Sequence, residues 1–305
     1  MSAARTSLPH FVATASAGGT HSRARPTRCQ KRSRSGTCPW RSSWDREKGA
    51  HAGTTLEAMT AGRRGRDYVP ARSAWLSAAK EALAADERVV AVLLEGSLGR
   101  GAGDEWSDLD LVVVLGDAIA AEFLNARLEW VTRFGEVLLV LDSPWNAPPT
   151  GAQINAPYEV GLAMPLYVDW SLWPAAIAAT PSDVRVLVAR PTCRIPEAGV
   201  TMDEFRRWPR QAVSNEVRGS RHARFAMLPI IGKCIARGDG VRACRMLTKI
   251  GTAACDPRNR TDQLDALRGL IRHLGVNEPE RVVRRLEAMC GALETTASDT
   301  DGGGG

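Results

Sequence analysis

From Tyr68 onward the apolar residues fall into periodic blocks, whereas residues 1–58 show neither a helical nor a strand period. The segment Ser73–Ala84 (SAWLSAAKEALA) spaces its apolar side chains by three and four, which predicts a short amphipathic helix. Val89–Leu94 is a β-branched run ending at Glu95-Gly96, a buried strand feeding a turn. Asp108–Leu115 (DLDLVVVL) alternates and then turns wholly apolar, a second strand that enters the core as it proceeds. A helix is expected over Ile119–Arg133 and a third strand over Glu136–Leu141. The Pro-, Asn- and Gly-rich stretch Ser143–Pro157 reads as a loop, and Tyr158–Leu172 as one or two further strands.

Pro174, Pro181, Pro191 and Pro196 place a domain boundary near 175–200. Beyond Met202 helical spacing takes over near 203–218, 220–237, 240–254, 260–274 and 278–293. Gly238, Gly275 and Gly291 stand where C-caps belong, and Asp256-Pro257 separates two helices. The order predicts an α+β fold: a small mixed sheet flanked by helices, then an all-helical domain. The expected organisation is a tail over 1–66, a catalytic domain over 67–185, a helical domain over 200–294 and a polar tail over 295–305.

Charge changes the picture only at the N-terminus. The chain of 305 residues carries +6, but residues 1–50 hold ten Lys/Arg against two Asp/Glu, leaving thirty against thirty-two elsewhere. A nearly neutral body gives no electrostatic case for a nucleic-acid ligand. The basic tail is too poor in apolar residues to offset its chain entropy and is expected to be disordered. Three readings stand for it: an over-extended start ahead of Met59, a basic arm, or a targeting peptide. The apolar runs stop far short of the roughly 20 residues a membrane span needs. Seven cysteines without a CxxC pair read as reduced, small core residues of a reducing, cytoplasmic compartment.

The chemistry is concentrated in Leu94-Glu-Gly-Ser-Leu-Gly-Arg-Gly-Ala-Gly-Asp-Glu-Trp-Ser-Asp-Leu-Asp-Leu111. A strand ends, Gly96-Ser97 turns tightly, and backbone N–H groups with the Ser97 hydroxyl can hold phosphate oxygens. Asp108 and Asp110 follow at i and i+2 of a strand, so both carboxylates face one side while Leu109 and Leu111 enter the core. Two such carboxylates repel unless a hard cation joins them, and Mg²⁺ combines one or two carboxylates with substrate phosphates. A phosphate-holding turn beside that pair is equipment for transferring a phosphorus-containing group.

Gly96-Ser97, the gap, and Asp108-Leu-Asp110 resemble the nucleotidyltransferase superfamily that includes DNA polymerase β. Arg100-Gly101 and Ser107 make the segment most similar to the antibiotic, aminoglycoside-type adenylyltransferases. The resemblance covers roughly residues 70–175 and fits the helical region only loosely. Tyr167-Val-Asp169-Trp-Ser-Leu-Trp-Pro174 resembles the strand carrying that superfamily's third carboxylate, with Asp142 as rival. The resemblance implies that Asp108, Asp110 and Asp169 are catalytic and bind two Mg²⁺ ions. It also implies that Gly96, Ser97, Arg100, Ser107 and Lys233 hold the nucleotide. ATP would be the donor and a small hydroxylated compound the acceptor. A toxin–antitoxin type enzyme with a protein acceptor, or a non-catalytic nucleotide-binding protein, are the alternatives.

Arg218, Arg221, His222 and Arg224 form a basic stripe, either facing the triphosphate or simply solvated. Lys233 lies farther along the same pattern in an otherwise apolar stretch, where a lysine needs a reason. Glu159, Glu204 and Glu216 are equal candidates for the base that activates the acceptor. Trp170 and Trp173 flank Asp169. Oligomeric state is not legible.

Overall fold

A computed structural model of the chain describes residues 65–191, 194–207, 214–251 and 254–298, all within one compact unit. The expectations for the N-terminal tail, for Cys29, Cys38 and Cys193, and for residues 299–305 lie outside these described residues.

Helix α1 runs Gly65–Ala85, opening well before the periodic segment that predicts it and carrying Pro70 inside. Its early turns are held by tertiary partners: Tyr68 is 1% exposed and Trp75 6%. Strand β1 (Val89–Leu94) feeds a single turn, α2 (Gly96–Gly99), and β2 spans Leu109–Leu115. The expected helix at 119–133 is divided into α3 (Asp117–Asn125) and α4 (Arg127–Val131). Of the expected third strand only β3 (Leu141–Asp142) forms, together with a lone bridge from Val137 to Tyr158.

The stretch read as a loop instead contains β4 (Ala152–Tyr158), and β5 follows at Leu166–Pro174. A further strand, β6 (Arg185–Ala189), falls in the expected boundary region. Its mostly exposed side chains gave no buried-strand signal. The six strands form one sheet ordered β3-β4-β5-β2-β1-β6. Only β2 and β5 pair parallel, and the other neighbours are antiparallel.

One face of this sheet builds the main core. Leu109, Leu111, Val113, Leu115, Val168, Trp170 and Leu172 lie in it. Trp170 packs within 5.2 Å of Trp130 and 4.8 Å of Phe134, ring centre to ring centre. Its Nε1 donates to the Tyr158 hydroxyl at 3.1 Å, which donates in turn to the Val131 carbonyl at 2.7 Å. Tertiary hydrogen bonding thus makes an indole and a phenol acceptable in the interior. The other face carries a smaller cluster of Ala91, Leu93, Val112, Val114, Trp173 and Met202.

From Met202 on, the named elements among the described residues are helices. Two short turns, α5 (Met202–Phe205) and α6 (Asn215–Arg218), replace the single helix expected near 203–218. They are followed by α7 (Arg221–Ala226), α8 (Leu228–Ala236), α9 (Gly240–Ile250), α10 (Arg260–Leu274) and α11 (Glu280–Ser298). Pro229 sits in the first turn of α8, which separates that helix from α7. Gly291 lies inside α11 rather than capping it, because helical spacing resumes through Ala292, Leu293 and beyond residue 294. The left-handed C-cap that was not foreseen is Gly251, at φ +123°, which closes α9.

The cysteine expectation is overturned for one pair. Cys244 of α9 and Cys255 form a disulfide with Cα atoms 5.6 Å apart. They stand eleven residues apart, Cys244 within α9 and Cys255 beyond its end. Cys234 and Cys290 are free and buried as expected. The bond removes cysteine usage as an argument for a reducing compartment. Among the described residues no helix is long and apolar enough to cross a membrane.

Candidate active site

The site is built at one end of the sheet, where β1, β2, β4 and β5 present polar residues on one face. Leu109 and Leu111 are fully buried, whereas Asp108 and Asp110 are partly exposed on the opposite side. The parallel register sets Asp110 against Asp169, and the antiparallel register sets Asn155 against Asp169. With strands about 4.8 Å apart, such neighbours touch. Asp169 therefore joins the pair. Asp142 lies farther out on β3 and is ion-paired with Arg127.

Electrostatics follow from this crowding. Burial, then the charge of Asp108, pushes the Asp110 carboxyl up. Asp169 is pushed well above the carboxylate range by burial, then by Asp110 and Asp108. The Asp110 and Asp169 carboxyls lie within hydrogen-bonding reach. Each carboxyl thus disfavours the charge of the other, and both are pushed in the same direction, upward. The Asn155 side-chain N–H donates to Asp169, and the Ser143 hydroxyl donates to Asn155.

The turn is locked against this strand. The Glu95 N–H donates to the Asp110 carbonyl at 2.9 Å. Gly96 follows at φ +65°, and a Cβ there would collide with the Asp110 carboxylate, so glycine is required twice over. The Ser97 hydroxyl donates to that of Ser107 at 3.0 Å, joining two residues read separately from the sequence. Arg100 is exposed and stands 3.8 Å from Asp183. Lys233 of α8 is fully buried and ion-paired with Asp108, its ammonium 5.1 Å from the centre of the Tyr68 ring. Burial is the largest influence and opposes its charge, but Asp108 and Tyr68 together outweigh it and the net shift is upward.

Sequence reasoning missed a polar layer continuing from the cluster. Glu95, 3% exposed, is ion-paired with Arg206. Burial raises Glu95 to about 7 against the opposing pull of Arg206, with Asp110 adding to the rise. Arg206 also donates to Ser171 at 3.0 Å, and Ser171 donates to Gln153. An acid at the end of an apolar strand was a usable signal for Glu95. Gln153 and Asn155 were hidden because Gly151 and Pro157 made their strand look like a loop. The three glutamates proposed as bases lie elsewhere: Glu159 pairs with Arg285, Glu204 caps α5 and Glu216 is exposed.

Of the basic stripe, Arg218 is exposed, while His222 and Arg224 are engaged within the fold. His222 meets Glu278 through Nδ1 at 2.9 Å and the Val140 carbonyl through Nε2 at 3.0 Å, while Arg224 reaches the Ile250 carbonyl. Two acceptors require both ring nitrogens to donate, hence an imidazolium. Burial lowers its pKa, but the bonds to Val140 and Glu278 outweigh it and the net shift is upward. A histidine with a raised folded pKa stabilises fully below its unfolded value near 6.5 and loses that contribution as pH rises through the folded one. Wild-type melting temperature should therefore fall relative to His222→Gln as pH rises from about 6 to 8. Parallel melting curves for the two proteins would refute this role.

Magnesium was expected from three carboxylates. Asp108 is engaged by Lys233, and among the described residues no three His, Cys, Asp or Glu side chains are placed to hold a metal ion. Asp110 and Asp169, partly exposed and crowded enough to share a proton, do fit one hard cation that completes its shell with phosphate oxygens and water.

A glycine-serine turn against paired carboxylates on a mixed sheet defines a protein equipped for nucleotidyl transfer. Residues 76–140 match the family model of the nucleotidyltransferase domain, and they lie within a chain of α+β fold. The match includes β1, the turn and β2, while Asp169, Arg206 and Lys233 lie beyond it. No curated protein matches the chain. Among solved structures, a STING-associated CdnE c-di-GMP synthase from Capnocytophaga granulosa aligns over 85% of this chain and 92% of its own. The identity is 11% and the TM-score 0.26, too distant to carry an argument.

Proposed function

We propose that the protein transfers a nucleoside monophosphate from ATP to a hydroxyl of a small, aminoglycoside-like molecule. The observation that carries this is the in-register Asp110–Asp169 pair facing the Gly96-Ser97 turn. In the reaction an acceptor oxygen bonds to the α-phosphorus, the bond to pyrophosphate breaks, and the hydroxyl proton passes to a base. Asp110 and Asp169 would hold Mg²⁺, which when bound neutralises phosphate charge and makes the acceptor hydroxyl more acidic. The backbone N–H groups of the Gly96-Ser97 turn bind phosphate oxygens, and the Ser97 hydroxyl, donated to Ser107, holds that turn in place. Lys233 neutralises Asp108 and would meet the triphosphate of bound ATP. Glu95, held by Arg206 and raised to about 7, keeps a carboxyl beside Asp110. The catalytic part would occupy residues 67–185 and the helical part 200–294, the latter choosing the acceptor.

The test is pyrophosphate release from ATP and Mg²⁺ across a panel of hydroxylated small molecules, aminoglycosides included. Release with at least one panel member is expected. Labelling of a protein partner alone would shift the acceptor to a polypeptide, and tight ATP binding without release would make this a binding protein.

A further inference from the structure

The loop between the turn and β2 is pinned from both sides by arginines. Arg72 of α1, 7% exposed, donates to the carbonyls of Asp104 and Ser107 at 3.0 and 2.8 Å. Arg237, one helical turn beyond Lys233 at the end of α8, grips the Asp104 carboxylate with two bonds of 2.7 and 2.9 Å. Asp104 accepts from the Ser107 hydroxyl at 2.8 Å and from the Trp106 N–H at 3.0 Å. Ser107 accepts from the Asp104 N–H at 2.8 Å and from Ser97 at 3.0 Å. The bonds to Arg237 are the main reason the Asp104 carboxyl falls to about 2, so the grip is ionic at any ordinary pH.

We propose that Arg237 is a positioning residue for the phosphate-binding turn, acting through Asp104 and Ser107 on the Ser97 hydroxyl. The chemistry of the relay is directional. A two-point guanidinium clamp fixes the plane of the Asp104 carboxylate. That carboxylate takes the Ser107 hydroxyl proton, so the Ser107 oxygen is left as an acceptor. Ser97 must then spend its own proton on Ser107, and its oxygen is held in one rotamer at the mouth of the turn. Lys233 and Arg237, four residues apart on one face of α8, meet Asp108 and Asp104, four residues apart in the loop. The helical region thereby sets the geometry of a turn more than a hundred residues away in sequence.

The affinity part of this inference rests on the nucleotidyl-transfer reading, and the structural part does not. Two readouts on Arg237→Gln and Asp104→Asn separate them, with melting curves confirming that each variant is folded. Amide hydrogen exchange at residues 98–102 should quicken about tenfold in both variants, since the two-point charge-assisted clamp is lost in one and its charge in the other. Unchanged exchange there would overturn the relay whatever the protein binds. In the second readout the KM for ATP should rise about tenfold while kcat stays within about twofold. Adding Ser97→Ala to Arg237→Gln should raise KM no further than the worse single change, because both cut one chain of contacts. Fully additive losses would show that Arg237 does not act through Ser97, and absence of ATP turnover in the wild type would refute the functional reading alone.

Discussion

Asp110→Asn and Asp169→Asn should each lower turnover by roughly a thousandfold or more, the size of losing a metal ligand that neutralises phosphate charge. The folded protein should survive, and the metal-free form of Asp169→Asn should be more stable than wild type above neutral pH. Both carboxyls are raised by burial and by neighbouring negative charge. An acid whose pKa rises on folding favours the native state only while protonated. Its contribution is complete below the unfolded value near 3.9 and is lost as pH climbs through the folded value. Wild-type apo stability should therefore decline towards alkaline pH, and Asp169→Asn should flatten that decline because one member of the repelling pair is gone. Thermal melts with EDTA at pH 5 and pH 8, beside a pyrophosphate assay, check both halves. Activity near wild type in either variant would end the proposal that these side chains hold the metal.

The second large effect concerns stability. Lys233→Met should destabilise the protein by about 3 kcal/mol, because breaking a buried ion pair leaves its partner uncompensated. The ammonium is wholly buried and Asp108 only 23% exposed. In the double variant Lys233→Met with Asp108→Asn most of that loss should return, since methionine fits the apolar stretch and the lone carboxylate has been removed. Urea denaturation of the two single variants, the double and the wild type measures this. A double variant as unstable as Lys233→Met alone would mean that lysine packing, and not charge, is what matters.

How much of this was legible depended on what kind of signal each segment carried. Val89–Leu94 is a continuous apolar run and Leu109–Leu115 becomes one after Asp110, both largely buried, and the strands agree with the reading. Asp169 was readable because an acid bracketed by Val168 and Trp170 is costly without a partner. Ala152–Tyr158 was not, because Gly, Asn and Pro are loop formers by composition, and only pairing with β5 makes them a strand. The edge strand Arg185–Ala189 lacked any buried face, and the Cys244–Cys255 bond depends on a turn whose geometry no spacing rule supplies. Lys233 could be singled out as a lysine in need of a partner, but its meeting with Asp108 across 125 positions is a tertiary fact.

That separation has a consequence for how the molecule comes into being. The parallel pairing of β2 with β5 and the Lys233–Asp108 contact both join distant parts of the chain, and such contacts form late because long loops must close first. During synthesis the turn, both strands and the acids leave the ribosome well before α8 does. A nascent chain ending near residue 200 thus holds its crowded acids without the lysine that balances one of them. It should stay loosely folded until the helical region emerges. Maturation of the site is thereby tied to completion of the chain: a truncated product keeps the sequence motif yet lacks the cation that lets those acids sit together.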